Sequence, residues 1–305
     1  MKRFVVVVGI VLLIITMVTS AVTGGCPSCG DNSPSQFSDT SSEEPTSVRP
    51  TNSHYENPGL ITNTDELVII VDVRSPEEYA EGHIPGAINL DWAKFRGAKG
   101  VFIGVENATR ILGENGISQK NRVIVYCGST TYPCTASPYV FWMLEYLGHE
   151  NVSVLDGGFD AWCTLYGCTK DVTIRPPTTY TANLTEVRFA DTEWVQNHLN
   201  NPMVQIVDAR TVEEYNAGHI DGAINLNFVR LFGDGNRLKD ADELEYLLAS
   251  IGGGGLNKSK DTVVYCWSGA SSSFLYFALR LMGYQVRNYD GSWNIWSETH
   301  PVSTL

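Results

Sequence analysis

Basic residues are scarce in this sequence. Its 305 residues include 21 Lys and Arg against 34 Asp and Glu, so the formal net charge at pH 7 is −13. A surface of this sign repels phosphate backbones, which argues against nucleic acid as a partner. The 7 Cys are too few for a disulfide-dense miniprotein. The Cys26-x-x-Cys29 motif has no second ligand pair, so neither a metal nor a cofactor is expected.

The N-terminus has the pattern of an export signal. A basic start at residues 1–3 precedes an apolar stretch, and small residues then lead to Cys26. The ending Thr-Gly-Gly-Cys is similar to a lipobox, which makes Cys26 a candidate lipidation site. A cleaved lipoprotein signal, a cleaved secretory signal and an uncleaved membrane anchor are all open for residues 1–26. Each predicts an exported, extracytoplasmic protein, and the first and third tether it to the membrane.

A long polar segment follows the signal. Residues 27–58 are rich in Ser, Thr, Pro, Asn and acidic side chains and have almost nothing to bury. Such a composition predicts a disordered tether rather than a domain.

Two copies of one motif divide the rest of the chain. The segment 72–90 matches the segment 208–226 without a gap, and thirteen of the nineteen positions are identical. Each copy is about one domain in size, so the pattern predicts a tandem duplication. We assign the first domain to residues 59–172, an interdomain linker to 173–190 and the second domain to 191–305.

Each copy alternates predicted strands with a predicted helix. Apolar runs at 67–71, 122–126 and 152–155 predict three strands in the first domain, and 137–147 predicts a helix between the last two. The second domain repeats this order with strands at 204–207, 262–265 and 286–289 and a helix at 274–282. The alternation predicts an α/β fold with two tandem parallel sheets, each flanked by helices.

A cysteine follows an equivalent strand in each copy. Ligands of open α/β sheets bind at the carboxyl ends of strands, which is where Cys127 and Cys266 fall. The loop after Cys266 is small and hydroxyl-rich apart from one Trp, and it leads into a helix. Its backbone N–H groups and the helix N-terminus are expected to stabilise a thiolate or a persulfide. Cys266 is therefore the predicted nucleophile, and its predicted substrate-binding loop consists of Trp267, Ser268, Gly269, Ala270, Ser271 and Ser272.

These motifs together resemble the tandem rhodanese-family sulfurtransferases. The pattern D-x-R-[ST]-x-E-E-Y…G-H-I-x-G-A, the strand-to-Cys loop and the closing D-G-[GS]-[FW] occur in this order in both halves. The resemblance implies two rhodanese-like domains and a ping-pong reaction with two partners, a small sulfur donor and an acceptor. A thiolate takes a sulfane sulfur from a donor of the thiosulfate or 3-mercaptopyruvate class and hands it to cyanide or a thiol. In two-domain members the catalytic Cys usually lies in the C-terminal half, which maps onto Cys266.

The second domain departs from the family at its donor anchors. Thiosulfate-using members often carry basic residues where Trp267 and Ser268 stand, and some place a substrate Arg at the position of Glu214. Arg230 and Arg237 are candidate replacements, and the donor stays open. A non-catalytic persulfide carrier and an extracytoplasmic thiol-redox protein are the alternative functions. A Cys phosphatase is not expected, because no Arg lies six residues after either Cys.

The first domain is expected to be non-catalytic, because its loop between the Cys and the next helix-ending Gly is longer. Cys127 has two alternatives, a second active site or a disulfide with Cys134. Cys163 and Cys168 could pair in the same way outside the cell.

The D-x-R motif has a structural interpretation. Asp72 with Arg74, and Asp208 with Arg210, are expected to form ion pairs that brace the turn from strand to helix.

Overall fold

The computed structural model describes residues 54–57, 67–128, 134–233 and 237–304. The predicted signal, Cys26 and most of the predicted tether lie outside the described residues. Within the described ranges, no helix is both long and apolar enough to cross a membrane.

The first sheet has five parallel strands. Their spatial order is β1-β5-β4-β2-β3, so the strand that ends at Cys127 lies at the centre. The strands are β1 (Tyr55–Glu56), β2 (Val68–Asp72), β3 (Ile88–Asn89), β4 (Arg122–Tyr126) and β5 (Val152–Leu155). The helices of this half are α1 (Pro76–Glu81), α2 (Val105–Glu114), α3 (Ala136–Tyr146) and α4 (Gly158–Tyr166).

The second sheet repeats the first. Its order is β6-β10-β9-β7-β8, with the strand that ends at Cys266 at the centre. The strands are β6 (Phe189–Ala190), β7 (Val204–Asp208), β8 (Ile224–Asn225), β9 (Asp261–Tyr265) and β10 (Val286–Tyr289). The helices are α5 (Thr192–His198), α6 (Val212–Ala217), α7 (Ala241–Ser250), α8 (Ala270–Leu281) and α9 (Ser292–Thr299). The predicted α/β fold with two parallel sheets flanked by helices is confirmed.

Three boundaries differ from the sequence-based assignment. Residues 55 and 56, placed in the tether, pair with β5 instead, and the Tyr55 hydroxyl donates to Asp156 at 2.6 Å. Residues 189 and 190, placed in the linker, pair with β10. Two-residue strands carry too little alternation to be recognised in a sequence. Helix α8 begins at Ala270, four residues earlier than predicted, because a Ser-rich start does not look helical.

Buried ion pairs and capping boxes hold the start of each repeat. The Arg74–Asp72 and Arg210–Asp208 contacts are both 2.6 Å, and each Arg also donates to the carbonyl eight residues on. Both predicted ion pairs are therefore present. Capping boxes are also formed at the start of α1 and of α6, so the two copies turn from strand to helix in the same way.

The two halves pack through α3 and α8. Phe141 of α3 and Phe277 of α8 meet edge to face, with ring centroids 5.1 Å apart. Beside them, Glu145 accepts hydrogen bonds from Arg280 at 2.8 Å and from the Tyr276 hydroxyl. These helices belong to one hydrophobic cluster that runs through both halves and includes Cys127 and Cys266. The packing therefore joins the sheet edges that carry the two cysteines.

Candidate active site

Cys266 lies at the carboxyl end of β9 and is only 3% exposed. Its carbonyl accepts the N–H of Trp293 at 3.0 Å, which ties the strand end to the start of α9. The thiol-bearing residue thus lies in the turn between the central strand and α8. This is the position that the strand-to-Cys pattern predicted.

Ser292 joins the two ends of the Cys266 loop. Its Oγ accepts the N–H of Cys266 at 3.2 Å and the N–H of Gly269 at 3.1 Å, and it donates to the Tyr289 carbonyl at 2.7 Å. Ser292 adopts a φ of 50°, which is uncommon for a residue other than glycine. Sequence reasoning missed this residue, although the [GS] position of the closing motif was a signal for it.

The first turn of α8 supplies free backbone donors. Gly269 has a φ of 83° and precedes the helix, and the first N–H groups of any α-helix have no intrahelical acceptor. For Ala270, Ser271 and Ser272, no other acceptor is present among the described residues. The Ser272 hydroxyl is occupied, because it donates to Asn288 at 2.7 Å. The predicted loop can therefore stabilise negative charge through backbone groups more than through hydroxyls.

Trp267 covers the outer side of the site and is 45% exposed. Its indole N–H donates to Glu214, and its ring lies 5.3 Å from the Arg210 guanidinium. Burial opposes ionisation of Glu214, but the hydrogen bonds from Trp267 and Thr211 prevail and lower its pKa. Glu214 is thus part of the loop's support.

Arg96, from the first half of the chain, reaches the Cys266 loop. Its Nη2 donates to both the carbonyl and the hydroxyl of Ser268 at 2.9 Å, across a sequence separation of 172 residues. The guanidinium lies 4.8 Å from each of the Trp92 and Tyr139 rings. Its Nη1 is buried and has no hydrogen-bond acceptor in the described part of the chain. No sequence signal identified Arg96, because the contact depends on the packing of the two domains.

Asp290 lies beneath the same loop. Its carboxylate accepts the Phe102 N–H and lies 3.4 Å from the Tyr139 hydroxyl. Burial raises the pKa of Asp290 to about 6, and the Phe102 hydrogen bond and the Arg96 charge only partly offset the burial. The loop at Phe102 and the helix α3 of the first domain therefore contact the floor of the second-domain site.

The equivalent position in the first domain holds a disulfide. Cys127 follows β4 and is bonded to Cys134, with the two Cα atoms 6.4 Å apart. Of the two alternatives for Cys127, the structure has the disulfide rather than a free nucleophile.

The two candidate replacement anchors lie away from the Cys266 loop. Arg237 lies 3.7 Å from Asp156, beside the Cys127 edge of the first sheet, and Arg230 is an exposed residue on the 3-10 turn 228–231. The structure gives neither one a contact with the Cys266 loop.

Cys163 and Cys168 are free thiols, so the suggested disulfide between them is not formed. Burial and the neighbouring Cys168 raise the pKa of the Cys163 thiol to about 11. Both residues flank the short α4 helix end, where the chain can keep them adjacent without a bond. Among the described residues, no group of three or more His, Cys, Asp or Glu is arranged to hold a metal ion.

Comparisons with known proteins match both copies of the repeat. The profile of the rhodanese-like domain matches residues 59–165 and 191–299. A Mycobacterium bovis relative named "Putative thiosulfate sulfurtransferase 1" is 34% identical over 252 residues, which cover 74% of this chain and 87% of the relative. A Thermus thermophilus relative named "Sulfur carrier protein TtuD" is 30% identical and covers 80% of this chain and 90% of its own.

Solved structures share the fold. The Escherichia coli SseA crystal structure, described by its "Rhodanese" fold and as a 3-mercaptopyruvate sulfotransferase, has 27% identity and a TM-score of 0.69 over 78% of this chain and 98% of that one. An anaerobic ergothioneine biosynthesis enzyme from Chlorobium limicola has a TM-score of 0.72 at 23% identity, and the match covers 80% of this chain but 66% of that enzyme. At this identity the second likeness shows the fold alone.

Proposed function

Because the chain belongs to the rhodanese family, we propose that it is a sulfurtransferase that moves a sulfane sulfur through a persulfide on Cys266. The observation that carries this proposal is the placement of Cys266. It is buried at the end of the central strand and precedes the first turn of α8, whose N–H groups have no acceptor among the residues that the structure describes. Such a site stabilises a sulfur anion by backbone dipoles without a metal.

The reaction has two balanced steps. In the first, the Cys266 thiolate attacks the transferable sulfur of the donor. With thiosulfate the sulfur–sulfur bond breaks and sulfite leaves with the electron pair; with 3-mercaptopyruvate the carbon–sulfur bond breaks and the enolate of pyruvate leaves with it. In the second, cyanide or a thiolate attacks the outer sulfur of the persulfide and the Cys266 thiolate is released. The N–H groups of Ala270, Ser271 and Ser272 would hold the persulfide charge between the two steps.

Arg96 is the proposed donor anchor. The donor classes named for the relatives are anionic, and no Lys or Arg occurs in the loop 267–272. Arg96 brings a cation to Ser268 within that loop, and its buried Nη1 has hydrogen-bonding capacity left over. A guanidinium can take two oxygens of a sulfonate or carboxylate at once.

The first experiment measures cyanolysis by the full chain with thiosulfate and with 3-mercaptopyruvate. Cys266→Ser should reduce the rate with both donors to background, because it removes the nucleophile. Cys168→Ser, which removes an exposed free thiol, is the matched control and should retain the wild-type rate. Full activity in Cys266→Ser would refute the proposed nucleophile.

A second experiment tests Arg96. Arg96→Met should raise KM for the anionic donor about 10–100-fold, the loss expected for a charge-assisted hydrogen bond of about 1.5–3 kcal/mol. Arg230→Met removes an exposed Arg away from the loop and should leave KM unchanged. An unchanged KM in Arg96→Met would leave Arg96 with only the structural bond to Ser268.

A persulfide carrier is the second candidate, favoured by the likeness to the Thermus relative whose name includes "sulfur carrier". The two functions differ in turnover. An enzyme releases many thiocyanate molecules per Cys266, whereas a carrier forms one persulfide per chain and keeps it until a protein acceptor is added. Mass spectrometry of Cys266 after donor treatment, together with thiocyanate yield, separates them.

We further propose that the protein is exported and tethered at the membrane. Support comes from the basic start, the apolar stretch and the lipobox-like ending at Cys26, all in the sequence. Mass spectrometry of the mature N-terminus should find Cys26 as the first residue with a lipid attached, and Cys26→Ser should abolish this processing. An unprocessed Met1 in the cytosolic fraction would refute the export.

A further inference from the structure

A cavity lies at the first domain, on the sheet edge equivalent to the one that carries Cys266. Its volume is about 450 Å³, and the Cys127–Cys134 disulfide forms part of its wall. The second domain closes the opposite side with Phe232, Phe274 and Phe277. A disulfide is thus accessible from a mainly apolar cavity between the two halves.

The two sulfurs have different surroundings. Cys134 is half-buried, whereas Cys127 is 6% exposed and its Sγ lies 2.8 Å from the Ser137 hydroxyl. A disulfide sulfur carries no proton, so Ser137 is the donor in this contact. Ser137 lies in the first turn of the 11-residue helix α3, whose dipole also favours negative charge there. Cys127 is therefore the sulfur whose thiolate would be stabilised, and Cys134 is the one open to attack.

The charges at the cavity favour an uncharged ligand. Arg237 lines the wall but already lies 3.7 Å from the carboxylate of Asp156 behind it, and Asp160 adds a negative charge to the lining. An anionic thiol would be repelled by this negative charge, whereas an uncharged thiol would pack against the aromatic and aliphatic side chains of the wall.

We propose that this cavity is a thiol–disulfide exchange site, in which a small uncharged organic thiol reduces the Cys127–Cys134 bond. The thiolate attacks the Cys134 sulfur, a mixed disulfide forms, and Cys127 leaves as a thiolate that accepts the Ser137 hydrogen bond. A second thiolate then attacks the sulfur of the bound thiol and releases the Cys134 thiolate and a small disulfide. The two protein thiolates take up the two protons that the thiols lost. The organic thiol is oxidised and the protein disulfide is reduced.

The test uses the full chain with Cys266→Ser, so that the proposed nucleophile takes no part, and peptide mapping separates Cys127 and Cys134 from the free thiols Cys163 and Cys168. 2-Mercaptoethanol and 3-mercaptopropionate, at equal thiolate concentration, serve as the neutral and anionic probes. Alkylation and mass spectrometry then follow the release of Cys127 and Cys134. We expect the neutral thiol to react at least tenfold faster, and Ser137→Ala to slow it about tenfold. Ser250→Ala, on helix α7 and outside the cavity lining, is the matched control and should have no effect.

A cavity-filling variant keeps the proposal falsifiable if Ser137→Ala does not fold. Ala161→Leu, on the cavity wall, should slow reduction by the neutral thiol about tenfold. The proposal is overturned if the purified protein holds Cys127 and Cys134 as free thiols. It is also overturned if reduction proceeds only at the rate of global unfolding, or if Ala161→Leu has no effect. A Cys127→Ser/Cys134→Ser double variant should retain cyanolysis, which separates this site from Cys266.

Discussion

Cys127 and Cys266 follow equivalent central strands, yet the residues that surround the two cysteines differ. Ser292 holds the Cys266 loop through two N–H groups, whereas Gly158 stands at its place in the first domain. A Cβ at Gly158 would lie 1.9 Å from the Cys127 carbonyl, so that copy cannot gain the same hydroxyl without rearrangement. Single side chains thus separate the thiol site from the disulfide site within a shared backbone plan.

At the same scale, Asp290 predicts a pH effect on stability. Its pKa rises from an ordinary value of 3.8 to about 6 because it is buried, so the folded state binds the proton more tightly than the unfolded state. Stability from this group is therefore lost as pH rises from about 4 to 6. Asp290→Asn should be more stable than the wild type above pH 6, by about 1–3 kcal/mol, and the difference should vanish near pH 4. Urea unfolding at several pH values measures this, and a constant difference across that range would contradict it.

Residue-level prediction succeeded where the pattern is local. Each D-x-R ion pair joins two residues that are two positions apart, and each strand-to-Cys motif is a continuous segment; duplication displays both patterns twice. The roles of Arg96 and of the surroundings of Asp290 were not predicted, because their contacts join distant segments: Arg96 and Ser268 are 172 residues apart, and Tyr139 and Asp290 are 151 apart. No periodicity or spacing encodes such a contact.

At the scale of elements, the start of α6 is connected to the Cys266 loop. Glu214 closes the capping box with Thr211 and also accepts the Trp267 indole N–H. Glu78 closes the same box with Ser75 at α1, and its hydrogen bonds among the described residues are those of the box. The two elements are alike in geometry, and α6 has the additional contact with Trp267.

Substitutions of Glu214 and Glu78 form a matched pair, because both residues close a capping box and Glu214 also contacts Trp267. Glu214→Ala and Glu78→Ala should each cost about 0.5–2 kcal/mol of stability, because both lose a capping box. Only Glu214→Ala should also change the rate of Cys266 alkylation and lower cyanolysis, since it releases Trp267. Equal effects of the two variants on Cys266 would show that Trp267 does not depend on Glu214. Because the pKa of Glu214 is lowered in the folded state, the contribution of Glu214 to folding stability is present at neutral pH and is lost in acid.

Elements were predictable where hydrophobic runs are long. The central strands are buried on both faces and read as continuous apolar runs, so their bounds agree with the sequence to within a residue. The edge strands β1 and β6 have two residues each, and backbone pairing rather than composition defines them. The early start of α8 likewise depends on Gly269 and Ser292, which hold the turn in place.

At the scale of the whole molecule, the domain interface completes the second-domain site. Arg96 and Phe102 belong to the first half, and they contact Ser268 and Asp290 in the second. In the other direction, Arg237 and three phenylalanines of the second half line the first-domain cavity. Each site is therefore built partly from the opposite domain, so the first domain contributes to the Cys266 site although its own Cys127 is in a disulfide.

The buried Glu145–Arg280 pair between α3 and α8 should be critical for this arrangement. Glu145 is 8% exposed, and its removal leaves the Arg280 charge without a partner inside the interface. Glu145→Ala should therefore lower the free energy of unfolding by about 3–5 kcal/mol, measured by urea denaturation. Glu114→Ala, which breaks the exposed pair with Arg110, is the control and should cost no more than about 0.5 kcal/mol.

The same pair predicts how the interface responds to acid. Burial alone would raise the pKa of Glu145, but the hydrogen bond and the charge of Arg280 lower it below the ordinary value of 4.5. A lowered carboxylate pKa contributes stability above that value and loses it as pH falls further. Glu145→Gln should thus be less stable than the wild type at pH 7, and the gap should close progressively as pH falls below about 4.5. A gap that stays constant in acid would mean that the charge on Glu145 does not hold the domains together.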